Sequence, residues 1–342
     1  MTLEQSVHEW LDHRSCGRIV AAVSGGADST ALLVALAHGL SRRGERPAAT
    51  LCAAHFNHRL RGEHEHEHDL QSVRALTAWL GVPLLTADAD PGEIRRTAGD
   101  LGGLEASARS HRYRFLKDAA AVVGARYLCT GHNLDDQVET ILMRLLAGVE
   151  GVLLSGMPDC RRLTARCELC RPLLGTTRSQ IDAFLDARTV RRTVDPSNER
   201  TVFRRNLVRH EIIPAIETAW PALRRDIGTL GVAMNAYHAQ VRRRADSLRF
   251  EYVPSGARAS RRGFYELDDD ARLEALYGVM RRLGLLDRRN RPGHAFFAPV
   301  LSDDPGGSCT LVASRKTRIA LDGPWLVVSG DVVRSGESGY LS

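Results

Sequence analysis

Residues 20–34 read VAAVSGGADSTALLV, and the fold turns on this stretch. The apolar run RIVAAV (18–23) suits a strand buried on both faces of a parallel sheet. STALLVALAHGL then has the composition of a helix, expected to stop at Gly39. A strand that turns through SGG into a helix N-terminus is anion-binding geometry. Glycines let backbone N–H groups approach an oxyanion, and the helix end adds partial positive charge. Ser24, Ser29 and Thr30 can add hydroxyl hydrogen bonds. The loop has no lysine, so it is not a phosphate loop of the GxxxxGKS or GxxxxGKT kind. Asp28 would repel a bare phosphate, which points to a shared Mg²⁺ ion.

Working outward, strands and helices alternate. TLCAA (50–54) reads as a strand ending at His55, LQSVRALTAWLGV as a helix and PLLTADA as a strand. Residues 104–124 read as a helix, ARYLCTG as a strand into a turn, and LDDQVETILMRLLAG as a helix. That alternation predicts an α/β fold with a doubly wound, mostly parallel sheet. IDAFLDARTV reads as a short helix and DPSNERT as a loop. Residues 205–250 look helical with breaks at Pro214 and Pro221, SGARASRRG (255–263) reads as a linker, and LDDDARLEALYGVMRRLG as a strong helix. CTLVAS, TRIAL and PWLVVSG read as short strands. The expected division is a catalytic domain over 1–215 and a smaller helical domain ending in short strands over 216–342.

The 342 residues are 43% hydrophobic and 26% charged, ample for a soluble core, with no apolar run near the ~18 residues of a membrane span. The polar N-terminus is no signal peptide, so the expected location is cytoplasmic. Net charge is +6, and because Lys117 and Lys316 are the only lysines, the positive charge is almost all arginine. The first half carries EHEHEHD (63–69) and LDDQVE, whereas most arginine doublets follow residue 160, which fits a catalytic half joined to a half that touches an anion such as nucleic acid. Seven scattered cysteines argue against a disulfide framework.

Further candidate sites follow. On a helix started at His132, residues Asp135, Asp136 and Glu139 share one face with it, while Leu134, Val138, Ile141 and Leu145 face the core. Carboxylates converging at a strand end need a cation, either Mg²⁺ or a substrate ammonium. In EASARSHRYRF, Arg109 and Arg112 are i,i+3 neighbours that suit an anion clamp, with Glu105 placed to orient Arg109. His55 and Asn57 in HFNHRLRGE suit a nucleotide pocket, and His64, His66 and His68 read as a charged helix start rather than a metal site. Cys167 and Cys170 form a CxxC that reads as part of a half-buried strand pair, with a metal site as the rival. Arg204, Arg205 and Arg209 gather positive charge that suits phosphate or RNA backbone.

S-G-G-x-D-S in this context resembles the signature of the PP-loop ATP pyrophosphatase group, whose fold is adenine-nucleotide alpha-hydrolase-like. Such enzymes cleave ATP between the α- and β-phosphates and transfer AMP to an oxygen. SGGADS, HFNHRLRGE, ARSHRY, GHNLDDQVETILMRLLAG, LSGM, RPLL and DPSNERTVFRRNLVRHEIIP, in that order, resemble the tRNA(Ile)-lysidine synthetase family over most of 15–215. The resemblance implies a ligase that uses ATP and Mg²⁺. It adenylates the wobble cytidine of the CAU-anticodon isoleucine tRNA, then attaches free L-lysine to carbon 2. It implies that Ser24, Gly25, Gly26, Ala27, Asp28 and Ser29 hold the phosphates, with Asp28 on the metal, and that His55 and Asn57 sit near the adenosine. Arg112, Arg109 and His132 would meet the α-phosphate or the cytidine. Asp136 and Glu139 would take the lysine ammonium and Arg205 its carboxylate. The second domain would grip the tRNA through its arginines; no membrane is involved, and a homodimer is compatible with the pattern. CELC departs from the apolar strand expected before RPLL, and the tail is expected to be shorter than in members with an additional C-terminal domain. A PP-loop tRNA cytidine thiolase is the nearest rival, but its cluster cysteines lie upstream of the acidic helix, where only Cys52 and Cys129 follow the loop here.

Overall fold

In the computed structural model, residues 2–14, 17–46, 50–60, 63–149, 154–190, 204–286 and most of 292–330 are described. Contacts divide the chain into two compact units: Met1–Leu146 with Gly156–Gly231, and Ala147–Ser155 with Val232–Ser342. The boundary expected at 215 lies inside the first unit, and the division falls within the helix Leu223–Ala245.

The first unit is built on a six-stranded sheet ordered β3-β2-β1-β4-β6-β5. These strands are β1 (Ile19–Ala22), β2 (Leu51–Asn57), β3 (Leu84–Asp88), β4 (Tyr127–Cys129), β5 (Cys160–Arg162) and β6 (Glu168–Cys170). All pairings are parallel except β5 with β6 at the edge. The alternation within β1 explains why the sheet is central. Ile19 and Ala21 join a core with the helices Leu3–Asp12, Ala27–Arg42 and Arg178–Asp186, while Val20 joins a second core with Leu116, Ala119 and Ala120 of the helix Leu104–Val122. A strand buried on both faces needs no polar alternation, hence the continuous apolar run. The strand order reverses at β1, with β2 and β3 laid down on one side and β4 on the other, so a crevice opens at the C-terminal ends of those parallel strands.

Several expected boundaries move. The loop helix runs past Gly39 to Arg42, and β2 continues through His55 to Asn57. The acidic helix begins at Leu134, so His132 stands in the turn ahead of it. Leu145 is 56% exposed rather than an anchor; Ile141 and Leu142 fill the core near the end of that helix. Pro214 does not break its helix. A π turn over Val208–Ile212 precedes it, with the Ile213 N–H bonded to the Val208 carbonyl, which accommodates a residue that has no N–H to give. The loop DPSNERT and the His64 and His66 side chains lie outside the described residues, as does the Arg204 side chain.

The second unit carries a five-stranded antiparallel sheet ordered β7-β8-β11-β10-β9. It comprises β7 (Glu251–Val253), β8 (Gly256–Ser260), β9 (Cys309–Ser314), β10 (Thr317–Asp322) and β11 (Trp325–Ser329). Its core gathers Phe264, Leu276, Met280, Phe297, Ile319 and Leu326. The supposed linker SGARASRRG is in fact β8 and the short helix Arg261–Tyr265. Ala257 and Ala259 face the core while Arg258 faces out, a strand alternation hidden by small residues of weak strand preference. No helix among the described residues is long and apolar enough to cross a membrane.

Candidate active site

The crevice is floored by the turn after β1. Gly25 has φ +93°, a conformation L side chains rarely adopt. Gly26 caps the helix Ala27–Arg42, whose first N–H groups have no intrahelical partner. The Ser29 hydroxyl accepts from the Ser24 N–H (3.1 Å) and donates to the Gly26 carbonyl (3.0 Å). Thr30 donates to the Gly25 carbonyl (3.4 Å). Both hydroxyls therefore shape the loop, and Ala27 packs into the core beneath it. Ser24 is exposed. His55, buried at the end of β2, sets its Nδ1 2.9 Å from the Val23 carbonyl just ahead of the loop. Asn57 accepts the Arg59 N–H at 2.9 Å.

The turn after β4 lies directly against this loop. A Cβ on Gly131 would come within 2.8 Å of the Asp28 carbonyl carbon, so only glycine fits. Asn133 caps the acidic helix in a reciprocal box: its Oδ1 accepts the Asp136 N–H (3.0 Å), and Asp136 accepts the Asn133 N–H (3.2 Å). The same Asn133 donates Nδ2 to Asp28 at 3.0 Å, tying the acidic helix to the phosphate loop. Arg178 reaches Asp28 from the far side, 3.2 Å from each carboxylate oxygen. Asn133, Gly131 and Arg178 were not singled out by sequence reasoning. The N-x-x-D spacing could have found the first; the other two announce themselves only in three dimensions.

Asp136 and Glu139 lie together on the buried side of the acidic helix, and guanidinium groups meet them. Arg205 donates to Glu139 (2.7 Å) and Asp136 (2.7 Å), and Arg209 donates to Glu139 (2.5 Å). Val208 and Ile213 pack on Val138 and Leu142, which holds the arginine-bearing turns against the acidic helix. Glu139 is 1% exposed, so its charge depends on these partners. Burial, aided by neighbouring carboxylates, pushes Asp28 and Asp136 above the usual carboxylate range despite their arginines. Asp135 turns aside to Arg224, which also grips Glu217, and serves the packing of this region.

A second set of cations surrounds His132. Its Nδ1 lies 2.8 Å from the Thr130 hydroxyl, and burial, reinforced by Arg171, Arg109, Arg112 and Arg205, pushes its pKa down to about 3. The imidazole is therefore neutral at ordinary pH. Arg109 stacks on Tyr113 with its guanidinium 4.8 Å from the ring centroid, and so turns to Tyr113 rather than to Glu105. Glu105 instead raises the pKa of Arg112, against the larger effect of burial. Arg171, the arginine of RPLL, is 4% exposed, donates to the Pro158 carbonyl (2.6 Å), and keeps a buried Nε with no partner among the described residues. Arg109, Arg112, Arg171 and His132 thus form a positive lobe beside the acid–arginine lobe, and Arg205 acts on both.

A glycine loop at a sheet switch point, a desolvated aspartate at its helix start and a cationic lobe alongside suit a nucleotide triphosphate. The family model described as the PP-loop domain matches residues 1–216. The chain belongs to the PP-loop family. The tRNA(Ile)-lysidine synthase of Symbiobacterium thermophilum is 40% identical over 199 residues, covering 58% of this chain and 39% of that protein. The tRNA(Ile)-lysidine synthase of Thermus thermophilus is 34% identical over 272 residues, covering 78% of this chain and 49% of that protein. The chain therefore spans about half or less of the length of these curated relatives. The U34-tRNA thiolase of Methanococcus maripaludis, solved with its 4Fe–4S cluster, shares the fold at TM-score 0.54 and 14% identity, covering 68% of this chain and 78% of that one.

The cysteines of this PP-loop chain are arranged otherwise than the CxxC spacing suggests. Cys167 faces the core with Leu116 and Cys170 the opposite core, so the two cannot share a ligand between them. They do lie on the expected strand hairpin, with Cys160 paired across from Cys170. Cys160 and Cys170 are joined as a disulfide, one local cross-link across the hairpin rather than the disulfide framework that the cysteine pattern argues against. Among the described residues, the one group with potential metal ligands is Cys160, Glu168 and Cys170, and its two sulfurs are committed to that bond. Cys52, Cys129 and Cys167 are free and buried.

Proposed function

We propose that this chain is an ATP-dependent tRNA(Ile)-lysidine synthetase. The observation that carries the reading is the buried carboxylate pair Asp136 and Glu139, neutralised by guanidinium groups and tied through Asn133 to the phosphate loop. A pocket whose acids hold cationic side chains beside a nucleotide loop is suited to a cationic amino acid. The curated relatives with that name support the substrate pair.

In the first step the cytosine O2 attacks the α-phosphorus of ATP, the α–β bond breaks and pyrophosphate leaves. In the second step the lysine ε-ammonium first gives a proton to the Asp136–Glu139 carboxylate pair, the free ε-amine attacks carbon 2, and the proton shed on attack passes to solvent. The bond from carbon 2 to O2 breaks, and AMP departs carrying that oxygen. The order follows from leaving-group chemistry, since the cytosine oxygen is a poor leaving group until esterified. Ser24 to Ser29 with the loop N–H groups hold the phosphates, and His55 and Asn57 line the adenosine side. Arg109, Arg112 and Arg171 balance charge at the α-phosphate, with neutral His132 as a hydrogen-bonding partner. Asp136 and Glu139 take the ammonium, and Arg205, released from them, takes the lysine carboxylate.

Asp28 fits Mg²⁺: it offers hard oxygens, and a desolvated carboxylate beside Asp136 gains from a cation. When bound with nucleotide, the ion neutralises phosphate charge. The exposed arginines of the second unit hold the tRNA, a substrate that places the reaction in the cytoplasm.

The deciding experiment incubates the protein with ATP, radiolabelled lysine and the CAU-anticodon isoleucine tRNA. Label entering RNA only with ATP and an intact wobble cytidine is the expected result. No label, with an active control enzyme, overturns the reading. Absorbance near 400 nm in anaerobically purified protein, with sulfur rather than lysine entering the tRNA, would replace it with the thiolase.

A further inference from the structure

The glycine loop contains no lysine, yet the pyrophosphate end of a nucleotide brings several negative charges to it. Asp28 adds another in the first turn of the loop helix. Some cation from elsewhere in the fold must face that end, and one residue is built to do so. Arg178 places Nη1 3.2 Å from both oxygens of Asp28. Its backbone is fixed from two sides. Thr177 and Gln180 form a reciprocal cap around the start of the helix Arg178–Asp186, and the Arg178 N–H donates to Asp135 at 2.8 Å. The preceding turn is tied to the acidic helix, since the Leu134 N–H bonds the Thr176 carbonyl at 2.9 Å. Behind it, Ile181, Phe184 and Leu185 pack in the core shared with Leu32, Leu33 and Leu36 of the loop helix.

The side chain is held less firmly than the backbone, by two solvent-open ion pairs. It is 47% exposed, Nε rests on Asp182 at 3.1 Å, and Nη2 takes no partner among the described residues. An ion pair this open is weak, so the guanidinium can exchange one carboxylate for a phosphate at small cost. A planar fork with parallel donors suits a phosphate better than an ammonium point charge does.

We infer that Arg178 is a phosphate-binding residue that supplies, to the pyrophosphate end of ATP, the positive charge that the SGGADS loop lacks. Without nucleotide, Asp28 parks it at the mouth of the loop; with nucleotide, it turns to the β- and γ-phosphates and leaves the Asp28 oxygens free. The inference rests on the proposed use of ATP, and it does not depend on lysine or tRNA being the partners.

The test compares the full chain with Arg178→Ala and Arg178→Lys, measuring by calorimetry the binding of ATP, inorganic pyrophosphate and AMP in the same Mg²⁺-containing buffer. In Arg178→Ala the dissociation constants for ATP and pyrophosphate should rise about tenfold or more, while that for AMP changes less than about twofold. Arg178→Lys should recover part of the loss. Unchanged ATP affinity in Arg178→Ala overturns the inference. So does an equal loss of AMP affinity, which would mean that Arg178 only supports the loop. Wild-type protein that binds no ATP overturns both this inference and the proposed function. Selective loss of ATP and pyrophosphate by a chain that never incorporates lysine leaves Arg178 as assigned and sinks the lysidine reading alone.

Discussion

Glu139 is the residue on which the acid–arginine lobe depends. It is 1% exposed and meets two guanidinium groups that are each more than a third exposed. Glu139→Gln keeps the volume and removes the charge, leaving Arg205 and Arg209 to water on one side only. Unfolding free energy by urea titration should fall by about 1–3 kcal/mol, with the partial exposure of the arginines holding the loss to that range. In the lysidine assay the KM for lysine should rise at least about tenfold while the KM for ATP stays nearly constant. Equal rises in both would show that the residue only holds the fold. His132 makes a prediction of a different kind. Its pKa in the folded protein is about 3, against 6.5 for an unperturbed imidazole. The unfolded chain therefore binds this proton first, so the associated stability is present above pH 6.5 and is lost as pH falls towards 3. The slope is at most about 1.4 kcal/mol per pH unit. His132→Gln removes that component, so stability measured across the window should fall less steeply than in the wild type. Superimposable slopes would place the imidazole in water.

At the scale of elements, the site depends on two turns pressed together, one after β1 and one after β4. Gly131→Ala would drive a Cβ to 2.8 Å from the Asp28 carbonyl carbon, and backbone on both sides has nowhere to retreat. A stability loss of about 1–3 kcal/mol is expected, with ATP affinity falling alongside it. A variant of wild-type melting temperature and ATP affinity would show that the turns separate freely. Asn133→Ala removes both a helix cap and a hydrogen bond to Asp28, and should cost about 1–2 kcal/mol by thermal melting. The sheet strands were legible because β1 is buried on both faces and reads as unbroken apolar sequence. Periodicity also put Asp136 and Glu139 on one face of a helix. It could not start that helix correctly, because extending the 3.6-residue period back to His132 takes no account of the Asn133 cap. It missed β8 because Ala257 and Ala259 carry little apolar signal, and it broke the helix at Pro214 because a π turn leaves no mark in composition.

On the scale of the whole molecule, net charge is +6 and arginine carries nearly all the positive charge. Many of those arginines are committed: Arg205, Arg209 and Arg224 face acids in the first unit, and Arg242, Arg244 and Arg261 do so in the second. Counting arginines therefore overstates the charge available to RNA. Arg243 is exposed, and Arg262 is 90% exposed although its Nε pairs with Glu266 at 3.0 Å, an ion pair open enough for a phosphate to displace. Arg243→Gln and Arg262→Gln should each weaken tRNA binding at low salt and reduce the slope of log affinity against log salt by about one if the residue meets a phosphate. ATP affinity should not change. A slope identical to the wild type in both variants would remove these two positions from the tRNA surface.

The sequence by itself determined the parallel sheet, the phosphate loop at its centre and the acidic helix, because each is written in local periodicity and in residues whose chemistry is intrinsic. Tertiary structure alone decided how charges are matched. Arg178 meets Asp28, Arg205 and Arg209 close over Glu139, and Arg171 joins Arg109 and Arg112 around His132, each pairing made between segments far apart in the chain. The physical reason is that a salt bridge or a desolvated imidazole depends on distance and burial, and neither quantity exists until the chain has folded. The loop without a lysine shows both sides: its composition states the missing charge, and only the fold brings Arg178 to its mouth.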